Sequence, residues 1–299
     1  MRKGVTVPFG PLLTAMATPL HPDRSLDLEG AQRLARHLVD TGSDGLVVCG
    51  TTGESPTITH DETRDLLRAV IEAVGEDVAV VAGTGKNDTA ASVAATREAT
   101  ELGVDGVLVV TPYYNKPSQR GLAHHLSAVA GATDLPVIVY DIPGRTACRL
   151  ELDTLLEVIE AAPNVRGIKD AAKDFDRAGQ IAARTPSDFA IYAGNDIDLL
   201  PLLALGGHGV ISVAAHLAGR DLSQLIDGFA KDPAAAAAIH HRLLPLLTAL
   251  FCDTNPVPLK AGLAQAGLPA GPVRPPLADA DATVADRVRE ALAATGGPR

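Results

Sequence analysis

Short runs of Val, Ile, Leu and Ala recur along the chain, each bounded by Gly, Asp or Pro. They are Leu12–Thr18, Gly45–Cys49, Val78–Ala82, Gly106–Thr111, Pro136–Tyr140, Arg166–Lys169, Phe189–Ala193 and Gly209–Val213. None alternates strictly between apolar and polar positions, as expected of parallel strands buried on both faces. Between them lie amphipathic segments of helical length, among them Leu28–Thr41, Asp61–Val74, Thr89–Leu102 and Ser118–Ala132. One strand end follows the last at intervals of roughly 20 to 33 residues, the size of a repeating strand–helix unit. Eight such units in a row predict an α/β fold, a closed (β/α)8 TIM barrel.

After Val213 the pattern is wholly helical: Leu222–Ala230, an alanine-rich segment from Pro233, Leu243–Cys252, a helix near Leu259 and a last one near Thr283–Ala294. The pattern thus predicts a barrel over residues 1–222 and a C-terminal helical extension over 223–299. Such an extension serves either assembly or simple capping. An open, doubly wound sheet would need a glycine-rich phosphate turn after an early strand. Gly83-Thr84-Gly85-Lys86 has the end of one, but Asn87 stands where Ser or Thr is required and Val80 where the opening glycine belongs.

Size and composition agree with one barrel plus an appendix. The chain has 299 residues, and a barrel alone takes roughly 250. Hydrophobic residues at 46% and charged residues at 21% describe a globular protein with a sizeable core. A net charge of −10 without a Lys/Arg-rich run disfavours nucleic acid as a partner. The three cysteines, Cys49, Cys148 and Cys252, are widely spaced, which points to a reducing compartment. Cys49, in an apolar run, reads as a small core residue rather than a nucleophile. Arg2-Lys3 and Ala15-Met16-Ala17 superficially resemble a signal peptide, but Pro8, Gly10 and Pro11 interrupt its apolar helix. No apolar run approaches the roughly 20 residues that span a bilayer. The expectation is a cytoplasmic protein with no membrane partner.

Active sites of such barrels lie at the carboxyl ends of the strands. There the sequence places Gly50-Thr51-Thr52-Gly53-Glu54-Ser55, Tyr113-Tyr114-Asn115, Tyr140 followed by Asp141-Ile142-Pro143-Gly144-Arg145, Lys169-Asp170, Gly194-Asn195-Asp196, and Ile211-Ser212. Lys169 closes an apolar strand. Desolvation there lowers an amine's pKa, and a free amine attacks a carbonyl to form an imine. Taken alone, Lys169 reads sooner as a strand-end lysine snorkelling into solvent. Tyr140, one strand away, is placed to pass protons, or else to serve as a half-buried core aromatic. The Gly50–Ser55 turn clusters backbone N–H groups and hydroxyls that suit a carboxylate, although a turn with a helix cap has the same composition. Arg145 suits a second carboxylate, or is an ordinary surface arginine.

Taken together, Gly50-Thr-Thr-Gly-Glu, Pro112-Tyr-Tyr-Asn-Lys-Pro, Tyr140-Asp-Ile-Pro-Gly-Arg, Gly167-Ile-Lys-Asp and Asn255-Pro-Val-Pro-Leu-Lys closely resemble the dihydrodipicolinate synthase branch of the N-acetylneuraminate lyase superfamily of class I aldolases. The similarity covers essentially the whole chain. The pairing of Thr51 with Thr52, and Arg145 after Tyr140, looks like that branch. The resemblance implies a lyase of lysine and diaminopimelate biosynthesis that condenses pyruvate with L-aspartate 4-semialdehyde. The other reading is an aldolase of 2-oxo-3-deoxy sugar acids, or an N-acetylneuraminate lyase. By the same resemblance Lys169 forms the Schiff base, and Tyr140, Thr51 and Tyr114 relay protons, with Tyr114 entering from a neighbouring subunit of a homotetramer. Thr52 matches the pyruvate-carboxylate site, Arg145 the semialdehyde's carboxylate site, and Gly194 and Ile211 further pocket positions. No metal or organic cofactor is implied. The pairs His124-His125 and His240-His241 form no ligand set, because adjacent helical residues do not face one point. One departure concerns regulation. Lysine-inhibited members carry a glutamate where this chain has Ala91, and often a histidine where it has Thr63, although His60 and Asn87 match the same allosteric pocket. Weak or absent inhibition by lysine is expected.

Overall fold

The computed structural model describes residues 7–297. Arg2 and Lys3, weighed above as part of a leader, lie outside the described residues. The strands form a closed parallel barrel in chain order: β1 (Leu12–Ala15), β2 (Gly45–Val48), β3 (Ala79–Gly83), β4 (Gly106–Val110), β5 (Val137–Asp141), β6 (Val165–Asp170), β7 (Ala190–Ala193) and β8 (Gly209–Ser212). Every residue of β1, β2, β5, β7 and β8 is buried, which is why the runs read as continuously apolar.

The described residues form two compact units, one of Val81–Ile211 with the residues up to Pro11, the other of Leu12–Val80 with the residues from Ser212 onward. The first carries α3 (Thr89–Glu101), α4 (Gln119–Ala130), α5 (Pro143–Thr146), α6 (Leu152–Ala161), α7 (Phe175–Arg184) and α8 (Leu199–Ala204). At its core Tyr192 is fully buried, and its hydroxyl lies 3.2 Å from the carbonyl oxygens of both Phe9 and Gly10. The second carries α1 (Leu28–Asp40), α2 (His60–Val74), α9 (Ala215–Phe229), α10 (Pro233–Ala249), α11 (Val257–Gln265) and α12 (Ala282–Thr295). Its buried His216 accepts the Ala17 N–H at Nε2 (3.1 Å) and donates from Nδ1 to the Val213 carbonyl (2.8 Å), a neutral tautomer. Burial lowers its pKa to about 4.

Side-chain caps set the helix starts. Asp27, Asp88, Ser118 and Asp174 accept from the first turns of α1, α3, α4 and α7. Thr59 and Glu62 form a capping box on α2. Two helices differ from the expected pattern. The segment from Pro233 and the one ending near Cys252 are a single helix, α10, which passes through Pro245. Buried Leu243, Leu246 and Leu247 around that proline hold the helix together through the lost hydrogen bond. Helix α9 begins at Ala215 rather than Leu222, because a kink at Ala218 (φ −142°) breaks the periodicity without ending the helix. Among the described residues no helix is long and apolar enough to cross a membrane.

Candidate active site

Strands β5 and β6 pair so that Tyr140 stands opposite Lys169, and Asp141 opposite Asp170. Lys169 is 4% exposed, with Nζ 4.4 Å from the centre of the Tyr140 ring. Burial pushes its pKa down to about 8; Asp196 opposes that shift and Arg145 adds to it. A large fraction of free amine is therefore present in mildly alkaline solution, the form that attacks a carbonyl. Asp196 is buried in the short turn after β7, and Arg145 is exposed on α5. Gly194, between β7 and that turn, donates its N–H to the Asp170 carbonyl at 2.7 Å. A Cβ there would lie 2.6 Å from that of Ala171, so only glycine lets the two strand ends come this close. Ile211 is buried on β8.

Directly behind Tyr140 and Lys169 lies a charged cluster. The Arg177 guanidinium on α7 reaches Asp141 at 3.0 Å and Asp170 at 2.7 Å, and donates to the Leu150 carbonyl at 2.6 Å. All three charged side chains are buried. Burial raises the pKa of both carboxyls against the pull of Arg177, that of Asp141 to about 6.

In the second unit the Gly50–Ser55 turn follows β2. The Glu54 N–H donates to the Thr51 carbonyl (3.1 Å) and the Ser55 N–H to that of Gly50 (3.3 Å). Thr52 is buried, and its hydroxyl accepts from the Asn255 side-chain amide at 2.9 Å. Thr51 is half-buried beside it. Two residues with side chains, Cys49 (φ 58°) and Glu54 (φ 57°), bracket the turn in the left-handed region. Cys49 is buried there, as its apolar surroundings predicted.

The family of the chain follows from comparison with known proteins. A model described as the dihydrodipicolinate synthetase family matches residues 8–295. The chain belongs to that family. It is 52% identical to the 4-hydroxy-tetrahydrodipicolinate synthase of Moorella thermoacetica, over 96% of this chain and 99% of that protein. It is 50% identical to the enzyme of the same name from Symbiobacterium thermophilum, over 96% and 98%. Among solved structures, a dihydrodipicolinate synthase of Cyanidioschyzon merolae with lysine bound superposes with a TM-score of 0.96 at 42% identity, covering 97% of this chain and 99% of that one. Membership in this family makes the chain a lyase of the class I aldolase type.

Other residues singled out in the sequence are placed as follows. Tyr114 projects from the loop after β4 with φ 71° and is 87% exposed. Next to it the Asn115 side-chain amide donates to the Asn87 carbonyl at 2.6 Å. Ala91 lies in the first turn of α3, its N–H taken by the Asp88 cap at 2.6 Å. His60 opens α2 at the surface, and the Thr63 hydroxyl donates to the Thr59 carbonyl (2.9 Å). In both histidine pairs one ring is buried (His125, His240) and its neighbour exposed (His124, His241).

Two groups of site residues were not singled out by sequence reasoning. Arg177 lies seven residues past Asp170, and only the pairing of β5 with β6 shows that it serves both aspartates. Asn255 stood in a recognised motif but without a role. Its partner Thr52 lies 203 positions earlier, a separation at which spacing carries no signal.

Proposed function

We propose that Lys169 is the Schiff-base lysine through which this lyase condenses pyruvate with L-aspartate 4-semialdehyde to 4-hydroxy-tetrahydrodipicolinate, in lysine and diaminopimelate biosynthesis. The observation that carries the assignment is a buried strand-end lysine with its pKa lowered to about 8, against the face of a tyrosine. The Lys169 amine attacks the carbonyl carbon of pyruvate, and loss of water leaves the imine. Loss of a methyl proton converts the imine to an enamine, whose carbon attacks the aldehyde. The amino group of the new product then closes onto the imine carbon and releases Lys169. Tyr140, Thr51 and Tyr114 relay the protons. Thr52 and the turn's backbone amides take the pyruvate carboxylate, and Arg145 that of the semialdehyde. Gly194 and Ile211 shape the pocket wall. No metal or organic cofactor enters these steps.

The exposed Tyr114 fits a residue supplied to a neighbouring subunit, and we read the assembly as a homotetramer, a dimer of dimers, in the cytoplasm. Residues 1–222 act as the catalytic barrel and 223–299 as its helical extension. Inhibition by lysine is weak or absent, because Ala91 offers no carboxylate to the ligand's ammonium; His60 and Asn87 are the residues that match the allosteric position.

Borohydride reduction in the presence of pyruvate, followed by peptide mass mapping, tests the central assignment. A pyruvate adduct is expected on the peptide containing Lys169, and none in Lys169→Ala; an adduct elsewhere would sink it. Arg145→Ala should badly impair turnover of aspartate 4-semialdehyde. Faster turnover of a 2-oxo-3-deoxy sugar acid than of the semialdehyde would favour the sugar-acid reading.

A further inference from the structure

The segment following α10 reaches the Gly50–Ser55 turn with three residues. Asn255 donates to the Thr52 hydroxyl oxygen at 2.9 Å. Lys260, buried on α11, pairs with Glu54 at 2.6 Å and donates to the Pro272 carbonyl at 2.7 Å. The Arg274 N–H takes the other Glu54 oxygen at 2.8 Å, while its guanidinium grips Glu62 at 2.6 and 2.8 Å and the Thr57 carbonyl at 2.7 Å. Left-handed backbone at a residue with a side chain persists only where its surroundings over-determine it. For Glu54 those surroundings are Lys260 and Arg274.

The Asn255 contact also orients the hydroxyl of Thr52. A hydroxyl has one proton to give and two lone pairs. With an amide donor on one lone pair, the hydroxyl proton is turned away from Asn255 and can be donated elsewhere. A carboxylate offers only acceptors, so it can take that proton. We propose that Asn255 is a positioning residue for the carboxylate of the 2-oxo acid, acting through Thr52, with the Lys260–Glu54–Arg274 clasp holding the turn in the required conformation. This rests on the reading that the turn receives that carboxylate. The extension is thereby part of substrate binding, besides any role in capping or assembly.

Borohydride trapping at graded pyruvate concentrations tests it, read as the concentration that half-saturates Lys169. Asn255→Ala should raise that concentration about tenfold, the size of a weakened hydrogen bond to a charged group. Asn255→Asp, nearly the same shape, draws the Thr52 proton to itself and should raise it further. kcat at saturating pyruvate should change much less than KM, as for an interaction common to ground and transition states. Methyl pyruvate, with its carboxylate masked, should half-saturate wild type and both variants alike. In a Thr52→Val background Asn255→Ala should add nothing, the sign of two groups acting as one. The proposal is overturned if both variants stay within about twofold of wild type for pyruvate. It is equally overturned if methyl pyruvate loses as much as pyruvate does, or if the two substitutions act additively. An unlabelled Lys169 in the wild-type protein would instead overturn the active-site reading.

Discussion

Lys169 owes its lowered pKa to its surroundings. On an exposed helix the same amine would stay almost fully protonated at neutral pH. Enclosed at the end of β6, it loses hydration that the charged form needs, and Arg145 adds repulsion. Imine formation sampled by rapid borohydride quenching should therefore rise with pH, reach half its maximum near pH 8 and level off above it. Arg145→Ala removes the repelling charge, so it should move that midpoint to higher pH as well as weaken the semialdehyde's binding. A midpoint unchanged in Arg145→Ala would show that the guanidinium does not act on the amine.

The elements matter because β5 and β6 carry Tyr140 and Lys169 in register, each followed by an aspartate held by one arginine. Removing Arg177 would take the contacting guanidinium from two buried carboxylates and leave only the longer-range pull of Arg149. Arg177→Met should lower unfolding free energy by about 3–5 kcal/mol, the usual cost of breaking a buried ion pair from one side. Adding Asp141→Asn should recover part of that loss, since an amide needs no counter-charge. Chemical denaturation of the single and double variants measures both; a loss below about 1 kcal/mol would mean that the cluster tolerates its own ionisation. The strands themselves were legible, because runs buried on both faces must be apolar. Their ends shifted by a few residues, and α10 ran on through Pro245, because packing decides such boundaries. Tyr140 and Lys169 were legible as polar residues closing apolar runs. Arg177 was not, since on the sequence it is one charge on an amphipathic helix.

Across the whole molecule, the departure from the motif pattern that calls for a test is Ala91. The C. merolae relative was solved with lysine bound, whereas Ala91 here brings only a methyl group to the first turn of α3. A lysine ammonium without a carboxylate partner loses its charge-assisted hydrogen bond, which is worth about 1.5–3 kcal/mol. Inhibition by lysine at saturating pyruvate should accordingly be weak or absent, and an inhibition constant below a millimole per litre would contradict this. Restoring the missing group with Ala91→Glu should strengthen lysine inhibition while leaving pyruvate trapping at Lys169 unchanged.

The sequence by itself determined the repeating strand–helix pattern, the barrel class it implies, and the polar residues that close the strands. These follow from periodicity and local chemistry, which are written along the chain. The tertiary structure alone decided how deeply Lys169 is buried, that one arginine serves both Asp141 and Asp170, and that Asn255 holds Thr52. Desolvation and charge pairing depend on neighbours in space, and these neighbours lie from 7 to 203 positions apart in the chain.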